Sequence, residues 1–147
     1  MRTRLLTAIG CAALLAACGD GAPRIDSQDA KNVAAGEAIY VRHCAACHGA
    51  SLEGQPNWRR RLPSGRLPAP PHDASGHSWH HPDKLLFGIV KNGLVPPYAP
   101  AGYASDMPAF AGVLRDDQIR AVLANIQSRW PKQVIEARAE MLRGQAR

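Results

Sequence analysis

The sequence predicts an all-α domain, and three observations predict it. Three segments repeat apolar residues at helical spacing, no segment alternates like a half-buried strand, and the connections are long and rich in chain breakers. Of the 147 residues 13 are Gly and 12 are Pro, which excludes a long helical repeat. Hydrophobic residues make up 46% and charged ones 20%, as in an ordinary globular chain, but only 5% are aromatic, so few large groups are available for a core. No apolar run reaches the ~18 residues that span a bilayer. The formal charge of +6 does not exclude a nucleic-acid partner, but no basic helix or zinc-finger spacing supports one, and none is expected.

The N-terminus reads as an export signal over residues 1–17. Arg2 and Arg4 precede an uncharged, mostly apolar stretch from Leu5 to Ala17, which ends in Leu15-Ala16-Ala17-Cys18. Small residues before a Cys, with Leu three places upstream, resemble the lipobox of bacterial lipoproteins, in which that Cys becomes the lipidated first residue. The simpler alternative is an ordinary signal-peptide cut with Cys18 incidental. Cleavage before Cys18 removes two arginines and leaves a net charge of +4. Residues 18–32 are then a lipidated end and polar tether. The working domain is 33–131, small enough to have a marginal core without a staple. Residues 132–147, rich in Ala, Arg and Glu, form a tail that either extends as a short surface helix or frays, and no function is expected there.

Within the domain, Asn32 is placed to cap a first helix over 33–41 that delivers Cys44 at its end. A second helix is bracketed by Pro82 at its first position and Gly93 at its C-terminal cap, with Leu85, Leu86, Ile89 and Val90 on one face. A third runs from Asp116 to Trp130. Asp116 and Asp117 stand at its positive end, and Ile119, Val122, Leu123 and Ile126 form an apolar stripe.

The stretch with chemistry in it is Cys44-Ala45-Ala46-Cys47-His48. A Cys-x-x-Cys followed at once by His reads as a c-type haem attachment site. Two thiols one helical turn apart can each bond a haem vinyl group, and the adjacent His then ligates the iron. Three rivals are weaker. A structural zinc site needs two more ligands at matching spacing. A thioredoxin-like pair needs a βαβ context, whereas the flanks here are helical. A plain disulfide gives no reason for His48. A porphyrin would also supply the large flat apolar body that the scarce aromatics do not.

With Gly36, Tyr40 and Cys44 spaced four apart on the first helix, the chain over about 33–131 resembles the class I cytochrome c family. The resemblance implies three or more helices with long loops around one covalently bound haem, and a crossing of the first and last helices at Gly36. The family's usual mid-helix aromatic on the last helix is replaced by Asn125. The resemblance further implies Met107, in Ser105-Asp106-Met107-Pro108, as the distal iron ligand opposite His48; taken alone, a Met there fills a core gap. It implies Pro70 as the carbonyl that accepts from His48, which would fix the ring and make it more basic. Trp58 and Trp79, with Arg59, Arg60, Arg61 and Arg66, are candidates for holding or screening the haem propionates; a solvated basic loop is the plainer reading of the arginines.

His72, His77, His80 and His81 fall within ten residues. They suit a polar loop over the haem edge, and a copper-binding or metal-sensing haem protein is the alternative. Taken together, the expectation is a monohaem electron carrier, not an enzyme. It would have His48/Met107 ligation, redox proteins as partners (a donor dehydrogenase or reductase, an acceptor oxidase or reductase), and a lipid anchor at Cys18 on the periplasmic side of a bacterial membrane.

Overall fold

A computed structural model describes residues 25–145. The export signal and Cys18 lie outside the described residues. Among those described there are five α-helices and no strand: α1 (Ala30–His43), α2 (Ala45–His48), α3 (Asp83–Asn92), α4 (Asp116–Ser128) and α5 (Lys132–Gln145), with a 3₁₀ turn at Ser78–His80.

α1 begins three residues before the position expected. Its cap is Asp29, not Asn32: the Asp29 carboxylate accepts from the backbone N–H of Lys31 at 3.0 Å and of Asn32 at 3.4 Å. The Asn32 side chain instead donates to Asp29 at 3.1 Å. A carboxylate also complements the helix's positive end better than an amide does. Residues 30–32, assigned above to the tether, therefore form the first turn, and Ile25 packs against the core ahead of them.

α1 and α4 cross at Gly36. A Cβ there would stand 1.9 Å from the Ala121 carbonyl oxygen and 3.0 Å from Asn125 Cβ, so only glycine lets the backbones approach this closely. The smaller Asn125 fills the position of the usual aromatic and is fully buried in the crossing. On α4 the expected stripe of Ile119, Val122, Leu123 and Ile126 is buried, joined in the core by Tyr40, Leu52, Leu86, Phe110, Leu114 and Trp130. α4 stops at Ser128, two residues short of the expectation. Past that point Trp130 turns inward and its Nε1–H donates to the His72 carbonyl at 2.8 Å.

Pro82 sits one place outside α3 and not at its first position. Its carbonyl accepts from Leu85 and Leu86 at 3.0 and 3.1 Å, while Gly93 closes the other end with its N–H on Ile89. Of the expected face only Leu86 is buried; Leu85, Ile89 and Val90 are half-buried. Residues 132–145 do not fray: they form α5, which packs on the 3₁₀ turn.

Candidate haem site

At Cys44 the backbone leaves helical geometry (φ −121°, ψ −40°), and α2 restarts as a single turn. The N–H groups of Cys47 and His48 both return to the Cys44 carbonyl, at 3.1 and 2.9 Å, which sets the two thiols and the imidazole on one tight turn. Tyr40 fixes the exit of that turn. Its ring is fully buried and its hydroxyl donates to the Gly49 carbonyl at 2.7 Å. Burial, with the neighbouring Cys44 and Glu53, pushes the phenol pKa up, so it remains a donor.

His48 is 8% exposed. Its Nδ1–H donates to the Pro70 carbonyl at 2.8 Å, the contact that the resemblance implies. A carbonyl only accepts, so Nδ1 carries the proton and Nε2 keeps its lone pair. Burial lowers the His48 pKa, against the opposing pull of the Pro70 bond, and favours the neutral imidazole that a metal requires. His72 stacks on this ring with centroids 4.0 Å apart. It is held in turn by a hydrogen bond of 2.8 Å between its Nδ1 and Ser78 Oγ.

The Pro70 carbonyl is presented by a second layer of contacts. Gln55 N–H donates to Ala69 O at 2.9 Å, and Ala69 N–H returns to the Gln55 side chain at 2.9 Å. Gly54 N–H donates to His48 O at 2.7 Å, and His72 N–H to Leu52 O at 2.8 Å. Leu52 reaches this position in left-handed backbone (φ 71°) with its side chain buried, a conformation that costs a leucine energy and persists because its surroundings hold it. At Gly54 (φ 69°) a Cβ would meet Pro71 N at 2.4 Å and Pro70 C at 2.7 Å; at Gly76 it would meet Pro71 O at 2.0 Å. The Pro70–Pro71 segment is clamped between two backbones with no room for a side chain.

Cys44 is half-buried and Cys47 exposed, and they form no disulfide. Burial and the adjacent Cys47 push the Cys44 thiol up to about 11. Among the described residues no group of three or more His, Cys, Asp or Glu is arranged to hold a metal ion. Two unpaired thiols beside a neutral imidazole with a free Nε2 therefore suit a porphyrin better than zinc or a redox dithiol.

The other candidate residues are distributed as follows. Met107 is half-buried against the core, its N–H bonded to Ser105 Oγ at 3.0 Å. Its segment is joined to α3 through Phe110 N–H on Val90 O at 3.1 Å. Phe110 meets His43 edge-on at 6.2 Å, which brings the segment to the end of α1 that carries Cys44. Trp79 packs against the core and its Nε1–H is buried without a partner. A buried N–H without an acceptor is costly, and a haem carboxylate is the kind of acceptor that satisfies it. Trp58 is separately engaged, stacked on His77 at 5.4 Å and under the Arg59 guanidinium at 4.1 Å. Arg66 pairs with Asp106 at 2.8 Å. Of the four clustered histidines, His72 lies on His48, His80 on Trp79 at 3.6 Å, and His77 on Trp58, with His81 edge-on to His77 at 5.3 Å.

Sequence reasoning missed the roles of Gln55, Leu52 and Gly54 in presenting Pro70, and of Arg138, which reaches back from α5 to the Trp79–His81 turn. Only the glycine offered any local signal, and a lone Gly in a loop does not say which backbone approaches it.

Residues 31–126 match the family described as "Cytochrome C oxidase, cbb3-type, subunit III". A curated relative, the gluconate 2-dehydrogenase cytochrome c subunit of Pantoea cypripedii, is 33% identical over 95 residues. That alignment covers 65% of this chain and 20% of the relative, so the chain spans about a fifth of the relative's length. No solved structure matches the chain. Among the described residues no helix is long and apolar enough to cross a membrane. With the family match extending over most of the chain and its attachment motif folded into a single turn, the protein belongs to the class I cytochrome c family, which implies a covalently bound haem c and transfer of electrons.

Proposed function

We propose that this chain is a monohaem single-electron carrier, held by lipid on Cys18 to the periplasmic face of a bacterial membrane. The observation that carries the reading is the setting of His48: buried, with Nδ1 committed to the Pro70 carbonyl and Nε2 left for iron, beside two unpaired thiols. The chain has one Cys-x-x-Cys-His, which supports a single haem. When bound, the haem supplies a one-electron ferric/ferrous couple.

The chain's own residues then do the following. Cys44 and Cys47 supply the two thioether bonds. His48 would ligate the iron, made more basic by its hydrogen bond to the Pro70 carbonyl. Met107 would supply the second protein ligand; its half-burial against the core and its place before α4 support that role. Trp79 donates to a propionate, and Trp58 with Arg59 screens the propionate charge. With two protein ligands the haem would serve electron transfer, not substrate chemistry. A net charge of +4 after processing favours acidic docking surfaces on partners. The relative's name supports a dehydrogenase as electron donor, with an oxidase or reductase as acceptor.

The test is the ferric spectrum of the matured protein at neutral pH. Low-spin iron with a sulfur–iron charge-transfer band is expected, and a high-spin spectrum overturns the assignment of Met107. Met107→Ala should lower the reduction potential markedly; an unchanged potential would move the ligand to one of the histidines.

A further inference from the structure

Arg138 lies in the middle of α5, beyond the residues that match the family, yet its side chain is only 9% exposed. Its Nη1 donates to the carbonyls of Trp79 (3.3 Å) and His81, and its Nη2 to Asp83 Oδ1 at 2.5 Å. The guanidinium also sits 5.5 Å over the Trp130 ring. Gln127 donates to the same Asp83 oxygen at 2.8 Å, which ties α4 into the cluster. A surface helix that served only solubility would keep its arginine in water, because burying a cation is costly unless it is paired and fully bonded. α5 also packs Val134 against the core, but its one buried cation, Arg138, grips the backbone of the 3₁₀ turn and of the residue after it.

That turn carries Trp79. The indole is packed against the core on one side and covered by His80 at 3.6 Å on the other. Its carbonyl is bonded to Arg138, while its buried Nε1–H has no acceptor among the described residues. A side chain fixed this firmly with one unused donor is set for a ligand's oxygen.

We propose that α5 is a strap and Arg138 a positioning residue: by gripping the Trp79 and His81 carbonyls, it holds the Trp79 indole N–H in place to donate to a haem carboxylate, and so raises the reduction potential. The proposal rests on the haem reading above. A carboxylate whose charge is partly drawn off by an N–H donor stabilises ferric iron less, so the ferrous form gains. Arg138 acts through Trp79 and does not itself touch the cofactor.

The experiment uses the matured, full-length protein. Reduction potentials are measured for the parent, Arg138→Gln, Arg138→Lys, Trp79→Phe and the Arg138→Gln/Trp79→Phe double variant. Arg138→Gln and Trp79→Phe should each lower the potential, raising the ferric-to-ferrous ratio several-fold at fixed poise. The double variant should fall no further than Trp79→Phe alone, and Arg138→Lys should keep part of the parent value. A strap that only stabilises the fold would lower the melting temperature of Arg138→Gln and leave its potential where it was; that result, or two additive shifts, overturns the proposal. Should Arg138→Gln fail to fold, resonance Raman of the parent against Trp79→Phe decides: the propionate bending frequency shifts if the indole donates, and an unmoved frequency overturns the proposal. A low-spin, covalently bound pigment in these samples keeps the haem reading intact whichever way the strap is decided, whereas colourless protein removes both.

Discussion

Replacing Gly54 by Ala tests how the site is built, because the cost can be read from coordinates. The new Cβ would stand 2.4 Å from Pro71 N and 2.7 Å from Pro70 C, distances at which the backbone itself must give way. Gly54 cannot retreat freely, since its N–H is held on His48 O at 2.7 Å. The left-handed backbone at φ 69° adds about 1–2 kcal/mol for any residue with a Cβ. Overpacking adds about 1–3 kcal/mol. The sum, about 2–5 kcal/mol, is a large part of the ~5–15 kcal/mol that holds a domain folded, so the variant should fold but melt well below the parent. The displacement also falls on the Pro70 carbonyl, so the 2.8 Å bond to His48 should lengthen or break. A less basic imidazole favours ferrous iron, so the potential should rise while the ligand set stays the same. Thermal melting and redox titration of the matured variant are the assays. A Gly54→Ala variant with parental melting and parental potential would refute the claim that the Gly54–Pro70 clamp sets the proximal ligand.

Gly36→Ala should destabilise by up to about 2 kcal/mol in denaturant titration, since overpacking of about 1–3 kcal/mol against the Ala121 carbonyl is offset in part by the ~1 kcal/mol that Ala contributes to helix propensity. A stabilised variant would contradict the observed α1–α4 crossing. Cys18→Ala should move the protein from the membrane fraction to the soluble periplasmic fraction, and continued sedimentation with membranes would defeat lipid anchoring.

What could be read in the sequence follows from the range of the interactions. Helix periodicity is local, so α3 and α4 were placed to within a residue or two, and the Ile119, Val122, Leu123 and Ile126 stripe is buried as expected. Caps are also local but compete: Asp29 and Asn32 are both good cap residues, and the carboxylate three positions earlier wins by reaching two N–H groups. The attachment turn was legible because its chemistry needs residues within one turn. Its support was not, since Gln55, Leu52 and Gly54 act on residues 69–72 through backbone contacts that leave no periodic trace. Arg138 was the least legible: an Arg among Ala and Glu looks solvated until the fold places it over the carbonyls of residues 79 and 81.

The central claim is a haem joined to Cys44 and Cys47 and ligated by His48. It is tested most directly by the intact mass of protein produced in a host with cytochrome maturation machinery, compared before and after extraction with acidified acetone. A red protein is expected, its mass exceeding that of the processed, lipidated polypeptide by one haem and keeping that excess through extraction. A colourless product, a pigment that leaves with the solvent, or a mass equal to the bare chain would contradict it.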